Sequence, residues 1–166
     1  MLIARVPTER FGSMSIRKTP AGTRGTRPFS SNGFVRVMMR ALRPYHRLLG
    51  DRYLGMDLLY LTTVGAKTGR RRTVALTRFA DGDGWLVVAS MAGSFQHPGW
   101  YHNIVEHPDQ VWIEVGGKKL RVVAEQLTGE QREAAWKRIT TEHRRYLEYQ
   151  EKTDRVIPIL KLTPAM

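Results

Sequence analysis

LLYLTTVGAKTGRRRTVALTRFADGDGWLVVAS, residues 58 to 90, is the stretch that decides the fold. LLYLTTV (58–64) is an apolar run of strand length, and GAKTG behind it is a turn. The period then becomes two: in RRRTVALTRFA (70–80), Thr73, Ala75, Thr77 and Phe79 oppose Val74, Leu76 and Arg78, as in a strand with two unlike faces. DGDG (81–84) is a hairpin turn, and WLVVAS (85–90) is the returning strand. Three antiparallel strands follow.

The same signals recur downstream. VWIEV (111–115), a Gly-Gly turn at 116 and 117, and KKLRVVAEQL (118–127) make a second hairpin, and VIPILKL (156–162) is a last strand with Pro158 at an edge or bulge. Between the hairpins lies a Gly-containing loop (91–97), followed by a short helix through GWYHNIVEH with Pro98 in its first turn. TGEQ (128–131) reads as a capping box opening a helix to about Lys152, with Ala135, Trp136, Ile139, Tyr146 and Tyr149 facing inward or into a cleft. Five or six antiparallel strands on short hairpins favour a small barrel, because closure removes exposed edges. The fold class is α+β around that barrel.

The 166 residues suffice for one domain with one core. The division expected is a flexible basic tail over 1–32, rich in Gly, Pro, Ser, Thr and Arg, and a single barrel domain over 33–166. That domain opens with an amphipathic helix over 34–49, whose Val35, Met38, Met39, Leu42, Tyr45 and Leu49 back a face of Arg36, Arg40, Arg43 and Arg47. Packing on the core and lying on a membrane surface both suit this pattern. Residues 1–50 hold ten Lys and Arg against one acid, Glu9, so most of the net charge of +12 sits there. With no cysteine there are neither disulfides nor thiolate metal sites. The absence of a signal-type or 18-residue apolar run points to the cytoplasm, with peripheral contact at the inner face of the membrane through residues 1–50 as an option.

The GAKTGRRR turn invites a test as a phosphate loop. A Walker loop needs GxxxxGK[ST] between a strand and a helix, so that amides and helix dipole converge. Here Lys67 follows Ala66 and the next element is a strand. What remains is a hairpin turn in which Lys67, Thr68 and Arg72 offer an ammonium, a hydroxyl and a guanidinium to an anion, or a solvated basic turn. Elsewhere, His97, His102 and His107 rotate by about 140° per step on a helix and do not converge on a metal, so no metal site is expected. GSF around Ser94 lacks the elbow of a serine hydrolase. The barrel segment does not interleave aromatic and basic residues, so no nucleic-acid platform is expected either, which leaves the basic arm as the nucleic-acid alternative.

Read together, GAKTGRRR (65–72) and SMAGSFQHPGWYHN (90–103) resemble the deazaflavin-dependent nitroreductase family, whose members carry a GxKSGxxR-like turn and then an S-x-G-G-x(4)-P-x-W-x-x-N segment. VGG, LTGEQR and YLEYQEKTDRVIPI continue the likeness, which covers roughly residues 55 to 164. It implies a split β-barrel of the FMN-binding-like type, with flanking helices, that binds coenzyme F-420, a 5-deazaflavin with a phosphate and an oligoglutamate tail. FMN is the alternative cofactor.

By that resemblance Lys67, Thr68 and Arg72 contact the phosphate side, and the Ser90 to Gly93 backbone, Trp100 and Asn103 flank the ring. Gly93 would let the backbone lie flat against it. The implied reaction is hydride transfer to an electron-poor acceptor, a quinone or a nitroaromatic. Tyr146, Tyr149 and Ser90 would be the catalytic hydroxyls, and Thr77 and His143 would line the acceptor pocket. Ala66, Ala75 and Ala92 depart from the pattern where Arg, Pro and Gly are usual. A ligand-storing barrel without turnover is the other reading, and the oligomeric state expected is monomer or homodimer.

Overall fold

The computed structural model describes residues 16–27, 41, 44, 51–53 and 55–165. Its strands are β1 (Arg52–Tyr53), β2 (Met56–Val64), β3 (Arg71–Thr77), β4 (Phe79–Asp81), β5 (Gly84–Val88), β6 (Val111–Val115), β7 (Lys118–Gln126) and β8 (Ile159–Pro164). A 3-10 turn (Met91–Gly93) follows β5, and three helices complete this part: α1 (Gly99–Glu106), α2 (Gly129–Glu142) and α3 (Arg145–Lys152).

All pairings between these strands are antiparallel. β2 lies between β3 and β6, and the sheet continues through β7, β8 and β5 to β4, with β1 against the start of β2. Leu59 and Leu61 of β2, Val87 of β5, Ile113 of β6, Val122 of β7 and Leu162 of β8 share one core although they come from strands far apart in that order. The sheet must therefore curl around them, as the barrel reading anticipated. Strand alternation builds a second core on the other face: Leu86, Val88 and Ile159 point away from the barrel and meet Ile139 of α2 and Tyr146 of α3. Each fully buried side chain of this size contributes about 1.5–3 kcal/mol, so α2 and α3 are held by apolar contact with β5 and β8.

Three local expectations are corrected. The strand over 70–80 is broken at Arg78: β3 pairs with β2 and β4 with β5, and the Arg78 amide donates to Asp57 O at 2.9 Å. Alternation persists across such a break, so periodicity alone cannot reveal it. The long helix ends at His143 (φ −136°, ψ 87°), and α3 starts afresh at Arg145. Thr128 caps α2 without a side-chain hydrogen bond, so the capping box is not made, and Pro98 stands in extended backbone at the cap of α1 rather than in its first turn.

Residues 16–27 do not behave as the expected loose tail. Ile16 is buried in the barrel core, the Gly22 amide donates to Phe95 O at 2.8 Å, the Thr26 amide donates to Gly93 O at 3.0 Å, and Thr26 bridges to Ser94 in parallel register. Asp154 fastens the segment by accepting from the Thr23 and Arg24 amides, both at 2.9 Å, and from the Thr23 hydroxyl. Short polar residues have no periodicity to show, yet their backbone donors find partners. The amphipathic helix over 34–49 lies outside the described residues except for Ala41 and Pro44, which have helical backbone.

Candidate functional site

The turn between β2 and β3 presents charge rather than amides. Gly65 N donates to Arg70 O at 2.9 Å, and the Thr68 and Gly69 amides donate back to Gly65 O at 3.2 and 2.8 Å. Gly69 takes φ +63°, which a side chain would strain. The Ala66 amide donates to Asn103 Oδ1 at 2.9 Å. With these amides spent internally, the turn is no phosphate nest. Its exposed residues include Lys67, Thr68, Arg70 and Arg72, and none of the three cations among them pairs with a carboxylate among the described residues. Arg71 instead lies over the Trp112 ring at 4.3 Å. A Cβ on Gly65 would come within 2.6 Å of Thr68 Oγ1 and 3.5 Å of Arg72 Nε, so the hydroxyl and guanidinium fold back over the turn.

Asn103 therefore changes place. It is buried, with Nδ2 donating to Thr63 Oγ1 at 2.9 Å and Oδ1 accepting from the turn. It braces the turn from α1, and both ends of its amide are occupied by protein. Trp100 is likewise packed in the barrel core. Both were expected beside a cofactor ring. The spacing of the motif is right, and the α-helical turn between them directs both side chains inward.

The second piece is the loop after β5. Met91 (φ 44°), Ala92 (φ 52°) and Gly93 (φ +79°) all sit in left-handed backbone. A Cβ on Gly93 would lie 2.6 Å from Tyr149 O and 2.8 Å from Lys152 Cβ. Its glycine thus lets α3 close on the loop. Arg155 holds the loop from behind: only 3% exposed, it donates from Nε to Ser94 O at 2.7 Å and from Nη2 to Ser90 O at 2.8 Å and Ala89 O at 3.1 Å. Its Nη1 donates to His97 Nδ1 at 3.2 Å, while His97 Nε2 donates to Thr19 O at 2.9 Å and Pro20 O at 3.1 Å, which fixes the tautomer. Burial pushes the guanidinium down to about 10, still charged at neutral pH, and burial with the Arg155 charge holds His97 below its ordinary value.

The third piece is a cavity of about 220 Å³ that opens between β3, the loop and α3. Thr77, Ser90, Tyr146 and Tyr149 line it, as expected from sequence, together with Met56, Ala75, Leu76, Val88, Ala92 and Arg145. Tyr146 stacks edge-on against Tyr149 at 5.7 Å and against Phe79 at 5.8 Å. Burial raises its phenol pKa, and the Thr77 hydroxyl and the nearby Arg145 charge pull the other way. His143 is not in the lining. It packs on Phe79 at 5.5 Å, with Nδ1 3.5 Å from Arg145 Nη2, so it stands behind the cavity wall. Arg145 was missed because the arginine of RRYLEY reads as one more solvated charge until the helix break turns it inward.

β3 links the charged turn to the cavity. Arg72 is at its start and Thr77 at its end, five residues apart, or about 16 Å at strand rise. An extended ligand with an acidic tail and a flat head fits that layout: free cations at one end, a small wall of hydroxyls and apolar groups at the other.

Comparison with known proteins supports the same picture. Residues 34–164 match the family model described as F420H(2)-dependent quinone reductase. The F420H(2)-dependent quinone reductase Rv1261c of Mycobacterium tuberculosis is 43% identical over 108 residues, 63% of this chain and 72% of that one. The solved structure of an F420-H2 dependent reductase, FDR-A, superposes with a TM-score of 0.57 at 40% identity, covering 63% of this chain and 92% of the other. A second structure, described as a domain-swapped dimer, gives a TM-score of 0.59 at 34% identity over 79% of this chain and 99% of its own.

Proposed function

The chain belongs to the F420H(2)-dependent quinone reductase family and is an F420-dependent reductase with a split-barrel fold; on that premise we propose a division of labour among its residues, with a quinone as the acceptor. Lys67, Thr68, Arg70 and Arg72 take the phosphate and acidic tail of coenzyme F-420. The observation that carries this is the group of exposed cations without carboxylate partners among the described residues at one end of β3, with the hydroxyl-lined cavity at the other. When bound, the deazaflavin supplies a hydride.

The protein's own part is to orient, to exclude water and to place donors. Ser90 sits where Arg155 and the Gly93 amide both fix its carbonyl, so its hydroxyl has a defined origin. Tyr146 and Tyr149 face the cavity from α3, and burial, which pushes its pKa up, keeps the Tyr146 phenol protonated at neutral pH. Such a phenol donates to an acceptor oxygen as negative charge grows there, and relays a proton afterwards. Thr77 closes the cavity from β3.

Titration with oxidised coenzyme F-420 and, in parallel, FMN, followed by fluorescence, tests this reading. Binding of the deazaflavin with FMN ignored, weakened at least tenfold in Lys67→Ala and in Arg72→Ala, is expected. Equal binding of FMN, or both variants at wild-type affinity, refutes it.

The charge of residues 1–50 further suggests that this part holds the barrel at an anionic membrane surface, each cation contributing about 1 kcal/mol. No helix among the described residues is long and apolar enough to cross a membrane. Loss of co-sedimentation with anionic liposomes on deleting residues 1–50 is the expected result; unchanged binding ends the idea. A homodimer fits the dimeric neighbour, and sedimentation velocity decides it.

A further inference from the structure

Arg145 is the one charged side chain lining the cavity, and no carboxylate pairs with it among the described residues. Its neighbours are poor acceptors for a guanidinium: Met56 Sδ, the His143 Nδ1 at 3.5 Å, and the Tyr146 ring, whose centroid is 5.9 Å from Cζ. Five donors meet one soft sulfur and one distant nitrogen. Helix stability does not account for it either. Arg145 opens α3, where the helix dipole disfavours a cation, and Arg144 before it adds a second. A residue that breaks a local rule beside a cavity marks a site whose demand lies elsewhere.

We propose that Arg145 is a specificity-determining and catalytic residue that binds an oxygen of the acceptor. The reading rests on the quinone reduction proposed above and deepens it by selecting acceptors that carry a carbonyl or an ionised hydroxyl at the ring edge. Transfer of a hydride to one carbonyl oxygen of a neutral quinone forms an O–H bond, and the π pairs shift into the ring and onto the opposite oxygen, which breaks both C=O π bonds and leaves a hydroquinone monoanion. One proton from solvent, through Tyr146 or Tyr149, completes the hydroquinone. The quinone is reduced by two electrons and the deazaflavin oxidised by two. The guanidinium faces the oxygen on which the charge grows, in a pocket where removal of one such donor typically lowers turnover about 10²–10³-fold. An acceptor already ionised gains affinity from the same charge before any reaction.

The test uses the full chain as wild type, Arg145→Met and Arg145→Lys, with 1,4-naphthoquinone and its 2-hydroxy analogue, ionised at neutral pH. Equilibrium binding of the two quinones to cofactor-free protein, by tryptophan quenching, comes first. Arg145→Met is expected to weaken the ionised analogue at least tenfold and the neutral quinone by less than threefold, and Arg145→Lys to recover part of the loss. In turnover with reduced coenzyme F-420, Arg145→Met should lower kcat for the neutral quinone about 100-fold while deazaflavin binding stays at wild type. Equal affinity of wild type and Arg145→Met for the ionised quinone, or no binding of it by wild type, overturns the assignment. Failure of wild type to bind the deazaflavin would overturn the cofactor reading instead, and the quinone-binding arm reads Arg145 independently of it.

Discussion

Replacing Arg155 with Met should loosen the whole loop between β5 and α1. The guanidinium is 3% exposed and donates to Ser94 O, Ser90 O, Ala89 O and His97 Nδ1. Methionine fills similar volume but removes the Arg155 donors from three buried acceptors, Ser94 O, Ala89 O and His97 Nδ1, each costing about 1–3 kcal/mol if unsatisfied, while Ser90 O keeps the Gly93 amide. Release from the cost of burying a charge offsets part of this, so a net loss of about 3–5 kcal/mol is expected. At roughly 2–4 °C per kcal/mol for a chain of this size, Tm falls by about 6–20 °C. Arg155→Lys should recover less than half, because a point charge on a flexible stem cannot span three carbonyls and a ring nitrogen. Thermal and urea unfolding give the stability, and hydrogen exchange of the 89–94 amides locates the effect. A Met variant that melts within about 2 °C of wild type, with the loop still protected, refutes the argument.

Further outcomes follow from the other braces. Asn103→Leu strips the Ala66 amide and the Thr63 hydroxyl of their partner and should cost about 1–3 kcal/mol while weakening anion binding at the 65–72 turn; unchanged binding at reduced stability would separate brace from site. Burial holds His97 and His102 below their ordinary 6.5, so below that value the unfolded chain takes up more protons than the folded one. Stability is therefore complete above pH 6.5 and lost as pH falls through the folded values; urea midpoints at pH 7.5 and 5.5 should differ, and the difference should shrink in His97→Gln. Asp154, held down to about 2 by the Thr23 hydroxyl and the Arg24 and Thr23 amides, keeps residues 22–26 fastened until pH falls toward 2. Asp154→Asn should speed exchange of the Thr23 and Arg24 amides at neutral pH, and equal exchange would mean that the Gly22 and Thr26 backbone bonds suffice.

Much of this molecule could be read from its sequence because the signals are local. Strand-length runs at 58–64, 85–88, 111–115 and 118–126, and the turns at 65–69, 82–83 and 116–117, place β2, β5, β6, β7 and their hairpins within a residue or two. Thr77, Ser90, Tyr146 and Tyr149, which the family resemblance assigned to one pocket, line a single cavity. For the strands, residue type and spacing suffice, since a strand or a helix turn fixes which neighbours share a face. The tertiary structure alone decided what depends on contacts between distant segments. Arg155 reaches residues 58 to 66 positions away, Asp154 reaches 130 or more, and Asn103 bridges back 37 to 40, and none of these partners leaves a mark on the local pattern. The helix break at His143 is of the same kind: it turns Arg145 from an apparent surface charge into a wall of the cavity, because packing of α3 on the loop, not propensity, sets where the helix restarts.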